Sequence, residues 1–166
     1  MGARERRTLL FVLLVSVLLT AGCGYSVHGG SSLPFSEVRI GRIENRTLEP
    51  KLEDKLYQAL VEEFARNGIS VTPGAASSLS GVVNNYNMFS LSEKDDITVE
   101  YRVVVDADFL FRDADGKTRE IKTALPFIVS FSGQGTMANL LANRDVAERQ
   151  AMADIAMEIV GALIFR

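Results

Sequence analysis

The chain has 166 residues, with 18 basic and 21 acidic side chains, one cysteine and one histidine. After removal of a leader, this length allows one domain with a proper core and not two. A net charge of −3 gives no general attraction for a phosphate backbone, so we expect no nucleic-acid partner. A single cysteine cannot form an intramolecular disulfide, and one cysteine with one histidine cannot build a structural zinc site.

The first 22 residues have the anatomy of an export signal. Three arginines precede an apolar run at residues 9–19, and the small residues Ala21 and Gly22 follow it. The run has only about half of the roughly 20 residues that a spanning helix needs. We therefore predict a signal peptide over residues 1–22, removed from the mature protein.

Cys23 follows the small pair directly, an arrangement that resembles the lipobox of bacterial lipoproteins, in which the cysteine is acylated. The alternative is a plain signal peptide with Cys23 as an incidental buried residue, but a lone thiol is a poor choice in an oxidising compartment. We favour lipidation at Cys23. Residues 23–35 are rich in glycine and serine and are predicted to tether the lipid to the domain at residues 36–166.

The domain begins with a strand and an amphipathic helix. In residues 36–43, Val38 and Ile40 alternate with polar residues, which predicts a half-buried strand. Residues 51–67 carry a leucine or phenylalanine at every fourth position of one stripe, which predicts a helix of about four turns. Gly68 is typical of a left-handed helix stop.

A short edge piece and three long strands are predicted next. These segments are residues 69–72, 79–91, 97–112 and 120–131. We expect a bulge at Asn84 and Asn85, a tight hairpin at residues 113–116, and an edge or bulge at Pro126, which cannot donate a hydrogen bond to a ladder. The face expected to be buried carries Ile97, Val99, Tyr101, Val103, Val105, Ala107, Phe109 and Phe111, and then Ile121, Leu125, Phe127, Val129 and Phe131.

A second helix is predicted over residues 143–166, after glycines 133 and 135 end the sheet. Its buried stripe would hold Val146, Met152, Ile155, Ile159 and Leu163. Its outer face would hold Arg144, Asp145, Glu148 and Arg149. The last three turns are apolar nearly all round, so a neighbouring helix or something outside the chain must cover them.

The order of these elements predicts an α+β fold. The crossover helix implies a parallel strand pair and the hairpins imply antiparallel ones. We expect a two-layer sandwich, with a mixed sheet of about four main strands and two helices on one face. The other face would be largely polar.

The sequence does not indicate an enzyme, a metal site or a cofactor. The only histidine, His28, lies in the tether, which does not suit a Ser-His-Asp triad. The acidic turns at residues 93–96 and 113–116 lack the spaced ligands of a calcium loop. Asp106 and Asp108 share a strand face with arginines and are interpreted as solvated surface charges, not as a glycosidase pair.

The start of the mature chain resembles the LptE family of lipopolysaccharide-assembly lipoproteins. The similarity lies in Cys-Gly-Tyr-Ser-Val-His-Gly at residues 23–29, in Glu-Asn-Arg-Thr-Leu-Glu-Pro-Lys-Leu-Glu at residues 44–53, and in Glu-Phe-Ala-Arg-Asn-Gly at residues 63–68. The later strands match only in kind. The resemblance implies the same helix-on-sheet sandwich.

The resemblance also implies a function without catalysis. Members are anchored in the inner leaflet of the outer membrane and plug the lumen of the β-barrel LptD, through which lipopolysaccharide reaches the cell surface. Gly24, in place of an aspartate, is similar to outer-membrane lipoproteins. The expected partners are therefore LptD, lipopolysaccharide and, through the N-terminal lipid, the membrane.

Lipopolysaccharide is anionic, so its binding by an acidic protein needs a local basic cluster. The candidates are Arg112, Lys117, Arg119 and Lys122, near the hairpin turn. The alternative is a solvated hairpin whose charges keep the sheet edge from aggregating.

Two other functions stay open from the residues alone. One is a lipoprotein that binds and regulates a cell-wall enzyme. The other is a small-ligand carrier with a pocket lined by Phe109, Phe111 and Phe127.

Overall fold

The computed structural model of the protein describes residues 34–94, 97–123 and 126–165. Its elements are β1 (Glu37–Asn45), α1 (Leu52–Arg66), β2 (Ser70–Val71), β3 (Ser78–Lys94), β4 (Ile97–Arg112), β5 (Thr118–Lys122), β6 (Phe127–Ser132) and α2 (Met137–Ile164). Neither helix in these ranges has the length and apolar character needed to cross a membrane. The predicted signal peptide, Cys23 and most of the tether lie outside the described residues.

The strands form one mixed sheet, as the sequence predicts. Their order is β2-β1-β3-β4-β5, and β6 also pairs with β4. β1 runs parallel to β2 and β3, while β4 is antiparallel to β3, β5 and β6. The parallel pair arises because α1 carries the chain back across the sheet between β1 and β3.

Both helices pack on one face of this sheet, which confirms the two-layer architecture. α1 buries the predicted stripe of Leu52, Leu56, Leu60 and Phe64. The sheet contributes Val38, Ile40, Leu79, Val83, Val103, Val105, Ala107, Phe109, Phe111 and Phe131 to the same core. The side chains of Ile97, Val99 and Leu125, also expected on this face, lie outside the described part of the chain.

Two positions require glycine, one for its backbone conformation and one for a close contact. Gly68 has φ +75°, and its N–H and that of Ile69 donate to the carbonyls of Ala65 and Phe64, so α1 ends in the predicted left-handed stop. Gly81 lies opposite Phe109 in the β3–β4 register. A Cβ at Gly81 would lie 2.7 Å from that ring, so only glycine lets the ring close on the sheet.

The predicted strand at residues 120–131 is wrong in one respect, because it is two strands. β5 ends at Lys122 and β6 begins at Phe127, and both pair with successive stretches of β4. Pro126 directly precedes β6, and a proline lacks the N–H that a ladder position needs. The expected bulge in β3 is confirmed, since the register shifts between Val83 and Asn85.

The second helix begins six residues earlier than predicted. α2 starts at Met137, and the hydroxyl of Thr136 caps it by accepting a hydrogen bond from the Asn139 N–H at 3.3 Å. The apolar stripe becomes regular only further along the helix, so periodicity alone misses the first two turns. In the sequence, the start of this helix is indicated by Gly135 followed by Thr136, because threonine is a common N-cap residue.

Candidate functional site

We call the sheet face opposite the helices the open face. It has a depression of about 460 Å³. The depression is lined by Arg42, Glu44, Ser80, Gly81, Val82, Asp108, Phe109, Leu110, Glu120 and Lys122. Charges of both signs therefore surround a small apolar floor, in which Leu110 is 43% exposed.

Two carboxylates of the open face are held by neighbouring amides. Asn84 donates to Asp108 at 2.8 Å and Asn85 donates to Asp106 at 3.2 Å. Asn84 is the extra residue of the β3 bulge, so the bulge aims its amide at β4. These contacts fit the interpretation of both aspartates as surface polar groups.

The predicted basic group lies around the β4–β5 turn. Asp113 closes the turn, since its side chain accepts from the Lys117 N–H at 2.8 Å and its carbonyl accepts from Gly116 at 3.1 Å. Gly116 has φ +82°, which glycine adopts without strain. The predicted hairpin is therefore confirmed, with Lys117 exposed at its end.

The register divides the other three basic residues between the two faces. Lys122 lies opposite Asp108, and Arg112 lies four residues from Asp108 along β4, so both are on the open face. Arg119 lies opposite the buried Phe111, which places it on the helix face. Arg112 and Lys122 are about 13 Å apart along the strand direction.

Arg102 is a cation on the open face that the sequence analysis did not single out. Its cross-strand neighbours are Phe89 and Ser130, neither of which can neutralise it. Its Nε is buried and has no hydrogen-bond partner among the described residues. Phe89 is 50% exposed and nearby Ile128 is 53% exposed, so a guanidinium lies between two accessible apolar side chains. Only the strand register could have revealed this arrangement.

An ionic cluster around the buried Glu148 joins α1, α2 and β3 on the helix side. Glu148 accepts hydrogen bonds from Lys55, from the Tyr86 hydroxyl at 2.7 Å and from the Arg144 Nε at 2.8 Å. Lys55 also contacts Asp145 at 2.7 Å. The same cluster extends to Glu49, which pairs with Arg144.

These contacts shift the pKa values of Glu148, Asp145 and Tyr86. Burial alone would raise the pKa of Glu148, but the hydrogen bonds from Lys55, Arg144 and Tyr86 outweigh it and lower that pKa. The hydrogen bond from Lys55 also lowers the pKa of Asp145. Burial, and then the Glu148 carboxylate, raise the pKa of the Tyr86 hydroxyl. Glu148 is therefore held ionised at neutral pH although its side chain is only 3% exposed.

The cluster corrects the predicted faces of the second helix. Glu148 was expected outside and is buried, whereas Val146 was expected in the core and is 57% exposed. Ala147 and Ala151 turn inward in place of Val146, while the other predicted stripe residues, Met152, Ile155, Ile159 and Leu163, are buried as expected. α1 packs against α2, and the apolar residues Ile155, Ile159 and Leu163 of its last turns are buried, while Met157 stays 59% exposed.

The described part of the chain, without residues 95–96 and 124–125, holds no group of three His, Cys, Asp or Glu side chains placed to bind a metal. Phe109 and Phe111 are buried in the core, and Phe111 packs on Phe35 with ring centroids 5.3 Å apart. These rings fill the layer between the helices and the sheet.

Two solved structures with a similar fold carry the word lipoprotein in their names. Rare lipoprotein B from Shewanella oneidensis superposes with a TM-score of 0.57 at 11% identity, covering 76% of this chain and 92% of that one. A lipoprotein from Caulobacter crescentus gives 0.52 at 19% identity, covering 73% and 86%. At these identities the likeness shows the fold alone. No curated protein matches the chain.

The family comparison covers the whole folded body. Residues 35–163 match the family described as "LptE: Lipopolysaccharide-assembly", which includes every strand and all but the last residue of α2. The match extends well beyond the short motifs at the start of the mature chain. The chain belongs to the LptE lipopolysaccharide-assembly family.

Proposed function

We propose that this protein is a lipid-anchored outer-membrane lipoprotein whose folded body sits in the lumen of the LptD β-barrel, without catalytic activity. The observation that carries the proposal is the sheet with helices on one side and, on the other, an open face on which charged groups surround a few exposed apolar side chains. The lumen of an outer-membrane barrel is polar, so a plug needs a charged, hydrogen-bonding wall. The depression at Leu110, with charges of both signs around it, supplies such a wall.

Site-specific photo-crosslinking tests this orientation. A photoreactive amino acid at Leu110, on the open face, should crosslink to the co-expressed barrel. Gln58, which is exposed on α1, is the matched control and should crosslink less. Recovery of the protein with a cell-wall synthase and no barrel would contradict the proposal, as would equal crosslinking from both positions.

We also propose that Cys23 carries the lipid. Cys23→Ala should abolish incorporation of radiolabelled palmitate and mislocalise the protein. The circular dichroism spectrum of the folded body should not change, because Cys23 precedes its first strand by 14 residues. Equal palmitate incorporation by variant and parent would refute the assignment.

Lipopolysaccharide contact is proposed at two basic places. The first is the predicted hairpin group of Arg112, Lys117, Arg119 and Lys122, of which Arg112 and Lys122 share the open face. The second is Arg102, whose Nε has no hydrogen-bond partner among the described residues and which, beside Phe89 and Ile128, offers both a charge and apolar surface to an anionic amphiphile. Arg102 and the hairpin lie at different ends of β4, so single variants distinguish them.

Binding of purified lipopolysaccharide to the detergent-solubilised protein decides between these places. Arg102→Gln should weaken binding several-fold if the β4 arginine is used, and Lys117→Gln together with Lys122→Gln should do so if the hairpin is used. Arg66→Gln, at the exposed end of α1, serves as the control for loss of one positive charge. Unchanged binding both in Arg102→Gln and in the Lys117→Gln, Lys122→Gln double variant would exclude both places.

A further inference from the structure

One end of the sheet carries two arginines and two hydroxyl side chains in a single row. The strand register places Arg39 of β1, Ser78 of β3, Arg112 of β4 and Thr118 of β5 directly beside one another. Residues directly opposite each other in a sheet share a face. Arg39 has a buried neighbour on each side along β1, so these four side chains lie on the open face. We call them the terminal row.

The terminal row has the chemistry of a phosphate site. Adjacent strands lie about 4.8 Å apart, so the Cα atoms of the two arginines are about 10 Å apart, one on each side of Ser78. Both arginines are exposed, and a guanidinium binds a phosphate through two parallel N–H groups. The hydroxyls of Ser78 and Thr118 are further donors. The turn between β4 and β5 adds one more cation, Lys117, and one more carboxylate, Asp115.

The carboxylates beside the terminal row have other partners. Glu37 accepts a hydrogen bond from the Thr72 hydroxyl at 3.3 Å, and Asp113 accepts one from a backbone N–H of the turn at 2.8 Å. Glu120 lies 4.0 Å from the Lys122 ammonium. Within the described parts of the chain, neither arginine of the row has an ion pair or a side-chain hydrogen bond. Both guanidinium groups are therefore available to an anion.

The length of chain before the folded body limits which end of the sheet can meet a membrane. Cys23, the proposed lipid site, precedes Pro34 by 11 residues, which span at most about 40 Å. β1 starts at the end of the sheet where the terminal row lies. The other end of β4, at Ile97, is about 50 Å away from that row. An acyl anchor on Cys23 therefore reaches a leaflet that touches the terminal row and falls short of one that touches the opposite end.

The charges along the sheet favour the same orientation. The sequence at the opposite end reads Glu-Lys-Asp-Asp at residues 93–96, and Asp106 and Asp108 lie on the open face between the two ends. An anionic surface repels these carboxylates and attracts exposed arginines. Charge and chain length thus select the same end.

We infer that the terminal row docks on the phospholipid leaflet that holds the lipid anchor, with its two arginines on the phosphate groups of anionic headgroups. The inference rests on the proposed acylation of Cys23. An acyl anchor joined to a basic patch is a two-signal membrane attachment, and the second contact fixes which end of the folded body faces the leaflet. This contact does not need the barrel, because the anchor alone keeps the body beside the headgroups.

A fluorescent probe in the β4–β5 turn tests this contact in vesicles. Cys23 is the only cysteine of the chain, and acylation occupies its thiol, so Ala114→Cys gives the acylated mature protein one free thiol for labelling. Ala114 is exposed in the turn, two residues after Arg112. The vesicles carry a trace of lipid with a nitroxide quencher on its headgroup, in phosphatidylcholine alone or with one third phosphatidylglycerol. Fluorescence lifetimes then give the ratio of quenched to unquenched protein.

The quenched fraction should be high with phosphatidylglycerol and low in phosphatidylcholine alone. Arg39→Gln should lower the ratio of quenched to unquenched protein about fivefold, and Arg112→Gln should do the same, because each removes one cation from the surface contact. Arg46→Gln is the matched control, since it removes the same charge from an exposed side chain beyond the other end of β1. It should leave the ratio unchanged. A probe at Leu91→Cys, about 40 Å from Ser78 along β3, should stay unquenched.

Circular dichroism melting of each variant shows that a loss of quenching is not a loss of fold. Equal quenching with and without phosphatidylglycerol would overturn the inference, as would equal effects of Arg39→Gln and Arg46→Gln. Quenching that appears only when lipopolysaccharide is added to the vesicles would assign the row to that lipid and would also overturn it. Protein that does not float with the vesicles would contradict the lipid anchor and this inference together. Floated protein with an unquenched probe would overturn this inference alone.

Discussion

Glu148 is a buried carboxylate with three hydrogen-bond donors around it. Lys55, Tyr86 and Arg144 come from α1, β3 and α2, so one side chain ties together three elements. A buried ion pair is weak evidence for added stability, but removing Glu148 leaves Lys55 with only Asp145, and Arg144 with only Glu49, as a counter-charge. Its role is therefore best measured by deleting its charge alone.

Glu148→Gln should lower the free energy of unfolding by about 3 kcal/mol, because Lys55 and Arg144 would lose their buried counter-charge. Urea denaturation measures the loss. Glu158→Gln, at an exposed position of the same helix, should change the free energy of unfolding by less than about 0.5 kcal/mol. Similar values for the two variants would mean that the cluster does not act as described.

Gly81 is the second residue on which the packing depends. Gly81→Ala should destabilise the protein by about 1–3 kcal/mol, because the new methyl group would overlap the Phe109 ring. Gly74→Ala is the matched control, since a Cβ there meets nothing within 4 Å. A smaller side chain in place of the ring relieves such overlap, so Phe109→Leu should recover part of the loss in the double variant. An unchanged stability of Gly81→Ala would show that the Phe109 ring moves aside freely.

At the scale of elements, α2 begins at Met137 in the structure, whereas the apolar periodicity of the sequence predicts a start at residue 143. Thr136→Ala should cost about 1 kcal/mol by removing the N-cap, and Thr136→Ser should restore most of it. Thermal unfolding followed by circular dichroism measures both. If the helix began near residue 143, as the apolar stripe alone indicates, neither substitution would matter.

The elements that the sequence predicts well are those whose buried face repeats regularly. In α1 a buried residue recurs at every fourth position from Leu52 to Phe64. In β4 every second residue from Val103 to Phe111 is buried. α2 is the counterexample, because a buried charge replaces an apolar residue at position 148 and Val146 points outward. Local pattern cannot show that Lys55, 93 residues away, supplies the compensating charge. The same limit applies to Arg102, whose neighbours are set by strand register.

At the scale of the whole molecule, the ionic cluster makes stability depend on pH. The folded-state pKa values of Glu148 and Asp145 lie below their ordinary values of 4.5 and 3.8. For a depressed carboxyl pKa, the stabilisation is fully present above the unfolded-state pKa and is lost as pH falls through the folded-state value. We therefore expect the urea midpoint to be flat near neutral pH and to fall steadily below about pH 5. In Glu148→Gln the midpoint should be lower at pH 7 and should fall less steeply, because one of the two titrating groups is gone. Parallel curves for variant and parent would assign the acid sensitivity to other carboxylates.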